Sequence, residues 1–121
     1  RGLGDVYKRQ VFIGSGLGTR AIVPGIADYA GTKAAIAGYA RGVQRDLGPR
    51  NITVNVVQPG IMPTDMTGEV AENFPQAVID MHPIRRIATI EEVAGAVSYL
   101  VSPAASYTAG AVIDVSGGVL V

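Results

Sequence analysis

Tyr29 and Lys33 stand four residues apart in an alanine-rich stretch. If that stretch is helical, the two side chains lie on one face and can meet. A phenol with its ordinary pKa near 10 is a poor acid or base at neutral pH. An ammonium group beside a phenol favours the phenolate, which is the tuning that general acid–base catalysis needs. Ser15 precedes Tyr29 by fourteen residues and follows the apolar run Val11-Phe12-Ile13. A serine at the carboxyl end of a strand lies where open α/β sheets bind ligands, so its hydroxyl could donate to a substrate oxygen beside the Tyr29 hydroxyl. A Tyr and a Lys at this spacing are also common as plain surface packing, and the pair alone does not establish a reaction.

The elements that must position these groups follow from pattern. Residues 11–13 form a short buried strand that stops at Gly14-Ser15-Gly16. Residues 16–26 carry Gly16, Gly18, Pro24 and Gly25 and are expected as loop. A long helix is expected over 27–47, with Gly48-Pro49 just past its end as a stop signal. Residues 52–57 are β-branched and apolar, a second strand broken by Pro59-Gly60. Over 66–81 one or two short helices are expected, limited by Pro63, Pro75 and Pro83. Thr89 and Glu92 have capping-box spacing, and Ile90, Val93, Ala94, Val97, Leu100 and Val101 are expected on one helical face. Residues 111–115 make a third strand, closed by Gly117-Gly118. The order strand–helix–strand–helix–strand implies parallel strands with helical crossovers. Three strands with so few helices read as the C-terminal half of a Rossmann-like doubly wound α/β sheet, because a parallel sheet needs both faces covered.

Composition narrows the function classes. The 121 residues suit one domain. Ten basic residues balance ten acidic ones, so there is no electrostatic case for a nucleic-acid partner or an anionic membrane. Cysteine is absent, which excludes a disulfide framework or thiolate metal site and fits a cytoplasmic protein. No apolar run reaches eighteen residues, so no membrane span is expected. His82, beside Pro83, reads as a loop residue rather than a ligand, and Asp65 as a cap rather than a metal ligand.

The wider pattern gives the pair its context. Ile13-Gly14-Ser15 is followed by Tyr29-Ala30-Gly31-Thr32-Lys33 and then by a run from Asn55 through Gln58-Pro59-Gly60 to Met62, Thr64 and Asp65. Arg85-Arg86, the Glu91-Glu92-Val93-Ala94 helix and Ser106-Tyr107-Thr108-Ala109-Gly110 come next. In order and spacing, residues 10–118 resemble the short-chain dehydrogenase/reductase family, in the branch of the 3-oxoacyl-[acyl-carrier-protein] reductases.

That resemblance implies an oxidoreductase moving a hydride between NADP or NAD and a small ketone or secondary alcohol, with 3-oxoacyl thioesters as one candidate class. It implies Tyr29 as the acid–base, Lys33 as its tuner and as a partner of the nicotinamide ribose, and Ser15 as the group that holds the substrate oxygen. Pro59, Gly60, Met62 and Thr64 are implied to line the cofactor, although Thr64 would serve equally as a cap. Catalysis thus rests on Ser15, Tyr29 and Lys33, and no metal is implied. Gly31, Ala34, Ala35, Gly38 and Gly42 keep the long helix slim, so another backbone can approach it closely, and the resemblance implies that it packs across the interface of a homodimer, usually within a homotetramer. Residues 1–10 depart from the family pattern and are read as an atypical, non-native start, with residues 11–121 as the family domain. The family's glycine-rich cofactor loop has no counterpart here, and neither Gly14-Ser15-Gly16-Leu17-Gly18 nor Gly2-Leu3-Gly4 has its spacing. The chain alone is therefore expected to be inactive. A non-catalytic relative that binds a cyclic dinucleotide and acts in biofilm dispersal is the alternative reading.

Overall fold

The computed structural model describes residues 8–64 and 74–121. Its centre is β2 (Thr53–Pro59), a seven-residue strand whose residues are all buried. It runs parallel to β1 (Arg9–Ile13) on one side and to β3 (Val112–Val115) on the other. Arg9 faces Thr53 and Ile13 faces Val57, while Val56 faces Val112 and Pro59 faces Val115. β1 begins two residues earlier than the apolar run indicates, because Arg9 and Gln10 also pair with β2. Pro59 has no N–H to donate, and its place as the last residue of β2 limits the cost to the ladder.

Alternation along β2 sorts the core into two layers. Val54 and Val56 pack with Ala40, and with Ile36, Val43 and Leu47, on the side of α1 (Ala27–Leu47). Val57 packs with Val93 and Leu100 on the other side, against the helix Ile90–Val101. Between these lies a short α2 (Gln76–Asp80), and Ile90–Val101 is accordingly α3. Of the helices expected over 66–81, the described part holds α2, and residues 66–73, like Asp65, fall in the stretch outside the described residues.

α1 has the bounds expected, but its stop works differently. Gly48 keeps right-handed helical geometry and opens a 3-10 turn, Gly48–Arg50; the left-handed residue is Asn51, at φ 59°. Asparagine is among the few residues that tolerate this conformation. Gln44 then ties the helix to the sheet. Its side chain donates to the Ile52 carbonyl (3.0 Å) and accepts from the Val54 N–H (2.6 Å). It stands in for a strand neighbour at the start of β2 and the residue before it, ahead of the pairing with β3 that begins at Val56.

α3 carries the expected capping box. Thr89 Oγ1 accepts from the Glu92 N–H, and Glu92 Oε2 accepts from the Thr89 N–H. The buried face is rotated from the one expected. Val93 and Leu100 are buried and Ala96 and Val97 pack beside them, whereas Ile90, Ala94 and Val101 are exposed. Arg86 adds a two-pronged ion pair to Glu92, at 2.6 and 3.0 Å. The Arg86 hydrogen bond first, then the Thr89 backbone N–H, holds the Glu92 carboxyl down at about 2. Because the folded value is depressed, its contribution to stability is present above the ordinary carboxylate range and is lost as pH falls toward 2. An NMR pH titration should place the Glu92 midpoint near that value, and Arg86→Ala should return it toward the ordinary range. A wild-type midpoint already in the ordinary range would contradict this ion pair.

Candidate active site

β1 delivers Ser15 and α1 delivers Tyr29 and Lys33 to the same end of the sheet. Ser15 lies two residues past the end of β1, where the chain bends into a one-turn 3-10 helix, Gly16–Gly18. It is the N-cap of that turn, and its Oγ accepts from the Leu17 N–H at 3.2 Å. The hydroxyl is thereby held through its lone pair, and its own proton stays free to donate. The strand end below is fixed by the Gly14 N–H, which donates to the Val57 carbonyl at 2.8 Å.

Tyr29 and Lys33 occupy the first two turns of α1, as the spacing predicts. The Lys33 ammonium lies 5.7 Å from the centre of the Tyr29 ring and donates to the Ile13 carbonyl at 3.4 Å. This long bond reaches across to the end of β1, so Lys33 joins helix, tyrosine and serine strand. Tyr29 is 40 % exposed, and its hydroxyl has no hydrogen-bond partner among the described residues.

The 3-10 turn is pressed against Lys33. A Cβ on Gly18 would stand 2.7 Å from the Ala34 nitrogen and 2.8 Å from the Lys33 carbonyl carbon, so only glycine fits there. On its other flank Gly16 meets Leu120, whose Cδ1 would lie 3.2 Å from a Cβ at that position. The C-terminal tail thus closes over the serine turn, a contact no local pattern reveals.

Pro59 and Gly60 lie at the neighbouring strand end. The Gly60 N–H donates to the Val115 carbonyl at 2.8 Å, and a Cβ there would stand 2.8 Å from Ser116 Cα. Met62 does not open toward α1; it packs with Val57 and Val93 in the α3-side core. Thr64, half-buried, is the last described residue of this loop. The structure therefore ties Tyr29 and Lys33 to the end of β1, two residues before Ser15, and anchors Pro59 and Gly60 at the neighbouring strand ends.

Three buried polar residues escape sequence reasoning. Asn55, fully buried on β2, donates to the Thr108 carbonyl and accepts from the Ala111 N–H, each at 2.9 Å. Gln58 is also buried, and its carboxamide meets Thr19 Oγ1. The only signal for either was a polar residue inside a β-branched strand. His82, expected as a loop residue, lies in the bend after α2 but is 3 % exposed, with Nδ1 donating to the Val78 carbonyl at 2.9 Å. It lines a cleft of about 460 Å³ together with Gly60, Arg86, Glu92, Asp114 and Ser116. Ser15, Tyr29 and Lys33 are not part of that cleft, so it is separate from those three residues.

Comparison with known proteins places this arrangement. The family model described as Enoyl-(Acyl carrier protein) reductase matches residues 8–120. The chain belongs to the short-chain dehydrogenase/reductase family. Among curated members, the 3-oxoacyl-[acyl-carrier-protein] reductase MabA of Mycobacterium tuberculosis is 46 % identical over 112 residues, which is 93 % of this chain and 45 % of MabA. The cyclic-di-GMP-binding biofilm dispersal mediator protein of Escherichia coli is 44 % identical, covering 90 % of this chain and 46 % of that protein. Among solved structures, a short-chain dehydrogenase/reductase from Serratia marcescens superposes with a TM-score of 0.83 at 41 % identity, over 92 % of this chain and 45 % of that one. A short chain dehydrogenase from Burkholderia cenocepacia, solved in complex with NADP, gives 0.83 at 37 % identity, over 92 % and 45 %. This short-chain dehydrogenase/reductase chain thus spans about half the length of the relatives it matches. Among its described residues no helix is long and apolar enough to cross a membrane.

Proposed function

We propose that the complete protein carrying this chain is a nicotinamide-dependent oxidoreductase that interconverts a ketone and a secondary alcohol, with 3-oxoacyl thioesters as the substrate class. The observation that carries this reading is the gathering of Ser15, Tyr29 and Lys33 at the carboxyl end of β1. The reductase relatives support the substrate class, and the neighbour solved with NADP supports NADP over NAD.

The residues present fit the nicotinamide end of such a cofactor. Lys33 uses one hydrogen bond on Ile13, which leaves ammonium donors for ribose hydroxyls. Tyr29 is open to a ligand, and the backbone of 59–64 starts at the same strand ends. When bound, the cofactor supplies or accepts the hydride. This chain's residues handle the rest. Ser15 donates a hydrogen bond to the substrate oxygen, keeping its proton, and holds that oxygen beside Tyr29. Tyr29 gives its proton to that oxygen as it becomes an alkoxide, or takes it in the reverse direction. Lys33 stabilises the phenolate left behind.

The 121 residues alone contain no glycine-rich dinucleotide loop. We expect this chain by itself to show no micromolar binding of NADPH or NADH in a fluorescence titration. Saturable micromolar binding would contradict that expectation. In the complete protein, the exposed slim face of α1 is expected to form a homodimer within a homotetramer. A Cβ at Gly31, Gly38 or Gly42 would meet nothing within 4 Å, so that face is open to a second backbone.

A cyclic-dinucleotide-binding protein is the competing reading, drawn from the name of the Escherichia coli relative. The assembled Ser15, Tyr29 and Lys33 favour catalysis, since a pure binder needs no acid–base pair. Initial rates with NADPH and acetoacetyl-coenzyme A in the complete protein test the proposal. Turnover is the expected result, and tight cyclic dinucleotide binding without turnover would overturn it.

A further inference from the structure

The 3-10 turn that carries Ser15 is held at both ends, and the second hold lies on β2. Ser15 is the N-cap of the turn Gly16–Gly18 and Thr19 is its C-cap. Gln58, 5 % exposed, lies on the same face of β2 as Val54 and Val56, the face that α1 covers. Its Nε2 donates to Thr19 Oγ1 at 3.2 Å, and Thr19 Oγ1 lies 3.4 Å from Gln58 Oε1, within reach to donate back. Gly14 makes room for this carboxamide, since a Cβ there would be 3.4 Å from Gln58 Cγ and 3.1 Å from Val56 Cγ1. The turn itself is stiff. The Gly18 N–H donates to the Ser15 carbonyl, and the Thr19 and Arg20 N–H groups donate to the Gly16 carbonyl, each at 3.0 Å. A displacement of Thr19 is therefore passed along the turn to Ser15, while the Lys33 ammonium keeps its separate hold on the Ile13 carbonyl.

We infer that Gln58 is a positioning residue, whose buried carboxamide clamps Thr19 and so sets where the Ser15 hydroxyl stands relative to Tyr29 and Lys33. This rests on the oxidoreductase reading above. A glutamine in this place is costly unless it is used. A carboxamide buried in a strand needs partners for its donors and acceptors, and among the described residues the side chain that hydrogen-bonds it is Thr19 of the serine turn.

The test uses the complete protein with NADPH and acetoacetyl-coenzyme A. Gln58→Leu and Thr19→Val should each lower kcat about tenfold, part of the roughly hundredfold that a 1 Å misplacement can cost. KM for NADPH should stay unchanged, because Lys33 is untouched. The double variant should be no slower than the worse single one, since both remove the same contact. Thr19→Ser keeps the hydroxyl and should restore the rate. Amide hydrogen exchange at Gly18, Thr19 and Arg20 should quicken in both slow variants and not in Thr19→Ser. Wild-type kcat in the variants would overturn the positioning role, whether or not exchange quickens. Independent, multiplying losses would overturn the shared clamp. Absence of turnover in the wild type would instead overturn the oxidoreductase reading, and this inference with it.

Discussion

Tyr29→Phe should abolish turnover in the complete protein, lowering kcat by about 10²–10⁴-fold, the range that one positioned acid–base group contributes. Phenylalanine keeps the ring that lies 5.7 Å from the Lys33 ammonium, so the cation–ring contact survives. The hydroxyl it deletes has no hydrogen-bond partner among the described residues, so no buried group is orphaned and stability should hold. Affinity for NADPH should change little, because the ribose contact assigned to Lys33 remains. The split between kcat and binding also separates the competing readings. A protein that only binds a cyclic dinucleotide would have no turnover to lose, and its affinity would barely respond. Retention of wild-type kcat in this variant would remove Tyr29 from the chemistry.

Asn55→Ala should destabilise the protein by about 2–6 kcal/mol, since a buried donor or acceptor left unsatisfied costs roughly 1–3 kcal/mol each and two are left. Asn55 is fully buried and both ends of its amide are used, on the Thr108 carbonyl and the Ala111 N–H. These contacts bracket the turn through Gly110 that leads into β3, so their loss frees the start of that strand. β3 in turn anchors Gly60 through Val115. The effect should therefore reach the strand ends where the substrate is expected. Asn55→Asp should not rescue, because a carboxylate can accept from Ala111 but cannot donate to Thr108. Urea unfolding is the measurement. A loss below about 0.5 kcal/mol, the scale of an ordinary surface substitution, would show that the latch is dispensable.

Much of this site was legible because its signals are local. Tyr29 and Lys33 meet through helix periodicity alone, and Thr89 and Glu92 cap α3 by spacing alone. The apolar character of 52–57 was enough to mark β2 as a buried strand. What stayed hidden depends on neighbours distant in sequence. Gln58 matters through Thr19, thirty-nine residues away, and Gly16 through Leu120. His82 looked like a loop residue because a proline follows it, yet the backbone turn after α2 buries it. The face of α3 was misjudged for a related reason. Ala94 and Ala96 are the same residue type, and Ala96 is the one that packs against the cluster of Val57, Val93 and Leu100. The stop of α1 shows the same limit at short range, since Gly48 offered left-handed geometry and Asn51 adopted it.

The central claim is that Ser15, Tyr29 and Lys33 serve a hydride transfer. The complete protein should be incubated with NADPH carrying deuterium at both nicotinamide C4 positions and with acetoacetyl-coenzyme A, and the product examined by mass spectrometry. The account predicts a single deuterium on the carbinol carbon of the 3-hydroxyacyl product from the wild type, and no product above background from Tyr29→Phe. Product without the label, or equal labelling by both proteins, would contradict it.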